Sequence, residues 1–254
     1  MKIFTLGFAI GAAILVSIGA VSAQQPVVKA AYNVNGPPTQ FIDSTKNFAP
    51  SGAAVELMMA VAKDAGFTVE FHPTLGADVA AGLNAKMFDA AVGVQFTQRN
   101  RDLGLDFSDP IWLNTEWPAV KKTDTKTYKS FDDFKGEVVA TSNAGYRDEL
   151  QKSGLMKEVK YFANTPDAYA SVLSGESKAV FGAAINLTIQ VRDYPDLQRV
   201  EGYQPRVPTP VGFGFRKADA DLIAQINKSL AKLKAAGTMK AIFAKHGIDF
   251  ALAK

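Results

Sequence analysis

The chain contains no cysteine. Disulfides are excluded, so stability must come from a buried core, and 254 residues are enough to build a sizeable one. Histidine is scarce too. His72 and His246 stand far apart, and neither has a second histidine or a cysteine at metal-ligand spacing. Neither a metal nor another cofactor is expected. Charge of one sign is not in excess: 28 basic residues face 25 acidic ones, with no basic run, which argues against nucleic acid as a partner. G-x-S-x-G, clustered carboxylates and a histidine–acid pair are all missing, so no catalytic residue is assigned. Glu116 and Glu149 are the only acids placed to edge a cleft, and such residues more often sit on the surface.

What is present begins with an export signal. Lys2 is a short positive start, Ile3 to Ile18 is almost wholly apolar, and Val21-Ser22-Ala23 supplies the small residues of a cleavage site. Removing the first 23 of the 254 residues leaves 231, beginning at Gln24, with 27 basic residues against 25 acidic. An uncleaved anchor is the competing reading, since the apolar run nearly reaches spanning length. Residue 24 is not cysteine, so a lipid anchor through a cleaved N-terminal cysteine is excluded. A cysteine-free exported chain suits the periplasm.

Beyond the signal, strand-like and helix-like segments alternate, which argues for an α/β fold. Strands are expected at 27–32, 67–71, 90–94, 137–141, 159–162, 179–184 and 211–216. Helices are expected at 53–65, 78–85, 147–152, 166–173, 187–192, 219–236 and 239–246. The first of these helices has Val55, Met58, Met59 and Ala62 on one face. The polar run Lys122 to Lys129 interrupts the alternation, and Pro205, Pro208 and Pro210 punctuate a second crossing. Two half-size lobes result, the first from residues 24–118 and 209–254, the second from residues 119–208 inserted into it. Ligands favour the cleft between such lobes, beyond the carboxyl ends of the strands.

The stretch Gly82 to Pro110, GLNAKMFDAAVGVQFTQRNRDLGLDFSDP, says most about function. A short apolar strand, Ala90 to Val94, runs into a loop with Arg99 and Arg101 and then into Asp106-Phe107-Ser108-Asp109-Pro110. An arginine just past a buried strand suggests a carboxylate clamp, because guanidinium is planar, always charged and offers paired donors. This layout resembles the family 3 extracellular solute-binding proteins of ABC importers, the amino-acid-binding type. Their usual run is G-x-x-D-A, a strand, T-x-x-R, then D-F-S-D-P. The resemblance spans essentially the whole mature chain, including Ala235-Ala236-Gly237-Thr238 and Lys245-His246-Gly247. It implies a type II periplasmic binding fold with mixed sheets, a two-strand hinge and hinge-bending closure around a small solute.

The resemblance also implies site residues. Arg101 falls in the arginine slot, and Gln98 where threonine is usual. The turn Ser142-Asn143-Ala144-Gly145-Tyr146 precedes a helix, where free backbone N–H groups can hold a carboxylate. The family acid that holds an α-ammonium is replaced by Ala183, with Lys178 at the upstream aspartate position. Asn186 is nearby but uncharged, and an ammonium buried without an anionic or carbonyl partner is costly. The usual aromatic walls count back to Gly36 and Gly76, which leaves Tyr32, Asn33, Thr39, Phe41, Phe96, Trp112 and Tyr146 as candidate walls, with Phe41 and Trp112 more readily assigned to the core.

The sequence therefore predicts a monomeric, periplasmic, non-enzymatic receptor that closes around a small carboxylate solute and delivers it to an inner-membrane ABC permease. The solute is expected to be an organic acid or an amino-acid derivative with a masked or absent amine. A dehydratase-like enzyme on the same fold, and an accessory or sensor protein without transport, are the competing readings.

Overall fold

In order along the chain come strand β1 (Val27–Asn33), β2 (Asn35–Gly36), β3 (Gln40–Asp43), β4 (Ala49–Ser51), helix α1 (Ala53–Ala65), β5 (Thr68–Thr74), α2 (Val79–Asn84), β6 (Ala90–Gln95), α3 (Gln98–Asp102), β7 (Leu105–Phe107) and β8 (Trp112–Asn114). They are followed by β9 (Glu116–Lys121), β10 (Val138–Thr141), α4 (Ala144–Lys152), β11 (Glu158–Tyr161), α5 (Thr165–Ser174), β12 (Ala179–Ala183), α6 (Ala184–Gln190), β13 (Leu197–Arg199), β14 (Thr209–Arg216), α7 (Ala220–Ala235) and α8 (Thr238–Lys245). This computed structural model describes residues 25–248 apart from 77 and 207. The expected export signal lies outside the described residues. No helix among them is long and apolar enough to cross a membrane.

The strands form two mixed sheets and a small third one. The first has the order β5-β1-β6-β14-β7, with β8 also pairing with β14; the second has the order β11-β10-β12-β9-β13. In each, the inner strands are parallel and a returning strand is antiparallel: β14 against β6 in the first, β9 against β12 in the second. The chain leaves the first sheet after Asn114, enters the second at Glu116, and returns between Arg199 and Thr209. Two short crossings joining two lobes make a hinge.

Each lobe has its own core, because each sheet needs helices on its faces. In the first lobe, α1 buries Ala54, Val55, Leu57, Met58 and Val61 completely against Phe213, Phe215, Ile226 and Phe243. The expected apolar face of α1 needs adjustment. Met59 is exposed and Leu57 and Val61 are buried, because the buried arc centres near Ala54 and Val61 and Met59 lies about 140° or more around the helix from it. Gly66 in the left-handed conformation ends the helix. Along α7, Ile226 and Leu230 are buried and Leu222, Ile223 and Leu233 pack beside them, as the periodicity predicts. The second lobe packs Phe131, Phe134, Phe181 and Tyr203 around β9 and β12.

Most boundaries differ from the sequence reading by one to three residues. Asn164 caps α5, its side chain accepting from Asp167 N at 2.9 Å. The α-helix not expected is α3, only five residues long, and the short strands β2, β3, β4, β7, β8 and β13 are likewise beyond the sequence expectation. Thr97 caps α3, accepting from Asn100 N at 3.2 Å.

Candidate functional site

The parallel strands of both sheets point their carboxyl ends at one another, and the space between them is a cleft of about 540 Å³. Asn33 at the end of β1, Leu75 after β5 and Gln95 at the end of β6 line it from the first lobe. Tyr161 at the end of β11, Ala183 at the end of β12 and Ser142 after β10 line it from the second.

The lining is rich in carboxamides. Asn33, Asn100, Asn114, Asn143, Asn164 and Asn186 contribute, as do Gln40, Gln95 and Gln190. Arg99 is the one charged side chain among the described lining residues, and no carboxylate is among them. Several of these amides are already engaged. Gln40 Oε1 accepts from Asn33 N at 2.9 Å, and Asn100 Nδ2 donates to Gln95 O at 2.8 Å. Asn143 caps α4 by accepting from Tyr146 N at 3.1 Å. The Oδ1 of buried Asn114 has no hydrogen-bond partner.

The phase of α3 decides which arginine faces the cleft. Side chains three and four apart share a helix face, so Arg99, Asn100 and Leu103 turn inward while Gln98, Arg101 and Asp102 turn outward. Arg101 is therefore exposed and outside the cleft lining, with its guanidinium over the Phe107 ring at 5.1 Å. Gln98 donates to Asp102 at 2.8 Å on that outer face. The Thr97 cap also resets the comparison with T-x-x-R: the position three residues after the capping threonine is Asn100. Arg99 lies 3.8 Å from Asp148 of α4, an exposed pair across the cleft mouth of the kind that contributes little in isolation.

Three further expected residues are not in the lining. Tyr32 is buried in the first lobe's core. Phe96 lies between the inward Gln95 and Thr97, so the extended chain turns its ring the other way, where it stacks on Phe107 with centroids 4.4 Å apart. Tyr146 is buried in the second lobe's core. Its hydroxyl lies near Gln95 and Asn114 without a hydrogen bond of normal geometry. Burial, followed by the charges of Glu116 and Glu149, holds its ionisation far above the usual phenol range. Asn33, Asn143, Ala144, Gly145 and Asn186 do line the cleft, as do Gly36 and Gly76 where the aromatic walls were counted. Trp112, assigned to the core, also reaches the cleft floor while its ring meets Phe243 edge-on at 6.0 Å. The sequence reading missed Gln40, Gln95, Asn100, Asn114, Tyr161, Asn164 and Gln190, which carry no local motif.

Glu116 and Glu149 are not in the cleft either. Glu116 is buried at the hinge, where its Oε1 accepts from Arg206 N at 2.8 Å. Glu149 lies 3.8 Å from the Arg206 guanidinium. Lys178 is likewise structural: it pairs with Asp124 at 2.8 Å on the far side of the second lobe. His72 sits beside Glu70 and His246 beside Glu56, and no cluster of three metal-type ligands occurs among the described residues.

The lobes touch directly through Asn186. Its Nδ2 donates to Gly36 O at 3.1 Å and Pro37 O at 2.9 Å, and Gln190 Nε2 donates to Pro37 O at 3.3 Å. Gln95 also reaches across, its Oε1 only 3.1 Å from where a Cβ on Gly145 would stand. The small residues at the start of α4 thus admit a side chain of the other lobe.

Among curated proteins, the L-cystine-binding protein TcyJ of Escherichia coli (strain K12) is 25% identical over 196 residues, covering 77% of this chain and 73% of that protein. An ancestral arginine-binding protein bound to arginine superposes with a TM-score of 0.75 at 26% identity, covering 87% of this chain and 98% of that one. The ancestral amino acid-binding protein AncCDT-1, a precursor of cyclohexadienyl dehydratase, does so with a TM-score of 0.76 at 26% identity, over 86% and 94%. The sequence model of bacterial extracellular solute-binding proteins, family 3, matches residues 28–249, and the chain belongs to that family.

Proposed function

We propose that this protein is the periplasmic receptor of an ABC importer and that it closes around a small carboxylate-bearing solute lacking a free amine. The observation that carries the reading is the cleft lining: nine carboxamides and one arginine, without a carboxylate among the described residues. Neutral amides donate and accept hydrogen bonds but do not neutralise an ammonium, whose burial without an anion is costly. Ala183, at the place of the family's ammonium acid, contributes only a methyl group.

A carboxylate has two sources of stabilisation here. Arg99 supplies a cation at the cleft edge, and the N-terminus of α4, at Ala144 and Gly145, supplies backbone N–H groups and the positive end of the helix dipole. A solute meeting both bridges the lobes and favours closure by its differential affinity for the closed state. Asn33 and Asn186 would bind its remaining polar atoms. Relatives named for cystine and arginine support an amino-acid-like solute, and the lack of a carboxylate among the described lining residues supports one whose amine is masked or missing. No acid at the cleft is placed for proton transfer, so a non-enzymatic role is proposed.

Paired titrations of Arg99→Ala and Arg101→Ala by calorimetry test the clamp. A charged hydrogen bond contributes about 1.5–3 kcal/mol, so Arg99→Ala is expected to weaken carboxylate binding roughly 10- to 150-fold. Arg101→Ala is expected to leave it unchanged. The opposite pattern would return the clamp to Arg101 and sink this assignment.

A further inference from the structure

The cleft carries buried polar side chains on its floor, beside Trp112, and large exposed apolar ones at its mouth. Gln40, Thr39 and Asn114 are buried on the floor. At the mouth, Leu75 is 56% exposed, Leu103 43% and Tyr161 44%. These are three of the seven large hydrophobic side chains that stand exposed among the described residues, and all three line this one cleft. Val79 lines it as well, at the start of α2. Leu75, Val79 and Leu103 belong to the first lobe and Tyr161 to the second, so the apolar surface spans the gap.

The size of the space points the same way. The lobes already meet through Asn186 and Gln190, so the volume is not that of widely parted lobes. About 540 Å³ nevertheless remains, within the range that holds drug-sized ligands. Tyr161 is not a loose side chain: the Arg147 guanidinium sits over its ring at 4.9 Å, which holds the ring at the rim.

Resting on the amine-free reading above, we infer that the solute is amphipathic. Its carboxylate or amide head meets the carboxamide-lined floor, and an apolar tail lies between Leu75, Val79 and Leu103 of the first lobe and Tyr161 of the second. N-acylated amino acids have this chemistry: the acyl group masks the amine, adds an amide that carboxamides can pair with, and carries the tail.

The test uses N-acylglycines with acetyl, butanoyl, hexanoyl and octanoyl tails, titrated by calorimetry into the wild type and into Leu75→Ser and Tyr161→Ser. Glycine, leucine and arginine serve as free-amine probes. Both substitutions replace exposed side chains, and circular dichroism confirms that each variant is folded. Wild-type affinity should rise by about fourfold per added methylene until the tail clears the rim, and more slowly in both variants. If the acylglycines bind but affinity is flat with tail length, or rises equally in wild type and variants, the apolar subsite is overturned and the receptor reading stands. If the free amino acids bind and no acylglycine does, or no probe binds, both are overturned.

Discussion

Replacing Asn186 with alanine removes a direct hydrogen-bonded tie between the lobes. Its Nδ2 makes two hydrogen bonds of ordinary length to the Gly36 and Pro37 carbonyls and a marginal contact at 3.5 Å to Thr39 Oγ1. Each good bond contributes about 0.5–1.5 kcal/mol net, so the variant should lose about 1–3 kcal/mol of closed-state preference. The freed carbonyls border an open cleft and can rehydrate, which keeps the loss below a full desolvation penalty. That energy is a shift of roughly 5- to 150-fold in the closed-to-open ratio. Asn186→Asp should shift it further, because it sets a carboxylate against two carbonyl oxygens. The chain has no cysteine, so spin labels can be placed at Lys152→Cys and Lys240→Cys, exposed positions on different lobes, without other reactive thiols. Pulsed electron–electron distance measurement on the ligand-free protein should show a longer-distance population growing from wild type to Asn186→Ala to Asn186→Asp. Solute affinity should fall with the closed population. Unchanged distance distributions in both variants would refute the view that Asn186 holds the lobes together.

Three other outcomes are expected. Ala183→Asp restores an anion at the cleft and should produce binding of free amino acids where the wild type shows none; calorimetry with arginine and leucine reads it, and no gain would argue that the ammonium site is missing for other reasons. Although burial opposes it, hydrogen bonds from Lys245 and His246 hold the Glu56 carboxyl below its usual value of 4.5. The stability it contributes is complete above 4.5 and is lost as the pH falls through its lower folded value. Urea midpoints of Glu56→Gln should therefore approach those of the wild type in acid and fall below them near neutrality, by no more than about 1 kcal/mol for so solvent-screened a cluster. Burial raises Glu149, with Arg206 opposing and Glu116 and Asp148 reinforcing, so its contribution has the opposite sign. It is complete below 4.5 and is lost as the pH rises through the raised folded value; Glu149→Gln should be the more stable protein at neutral pH, and thermal melts at two pH values check it.

Much of the fold was legible because its signals are local. Helix α1 was read residue for residue from apolar spacing and a terminal glycine. The strands around it were read from short apolar runs, and the order of the elements implied two lobes. The cleft was partly legible: Asn33, Asn143, Ala144, Gly145 and Asn186 are expected site residues and do line it. Arg101 matches the family's arginine by its distance to Asp106-Phe107-Ser108-Asp109-Pro110, a count along the chain that takes no account of the five-residue helix that turns Arg99 toward the cleft.

The sequence by itself determined most of the helices and the longer strands, and that no disulfide supports them. These follow from residue type and short-range periodicity. Only the tertiary structure decided which side chains face the solute. Arg99 and Arg101 are two residues apart, about 200° around α3, so only Arg99 reaches the cleft lining. Asn186 meets Gly36 across 150 residues of chain. Leu75, Leu103 and Tyr161 come to one rim from three separate segments, because the packing of two sheets, and no nearby motif, brings the ends of their strands together.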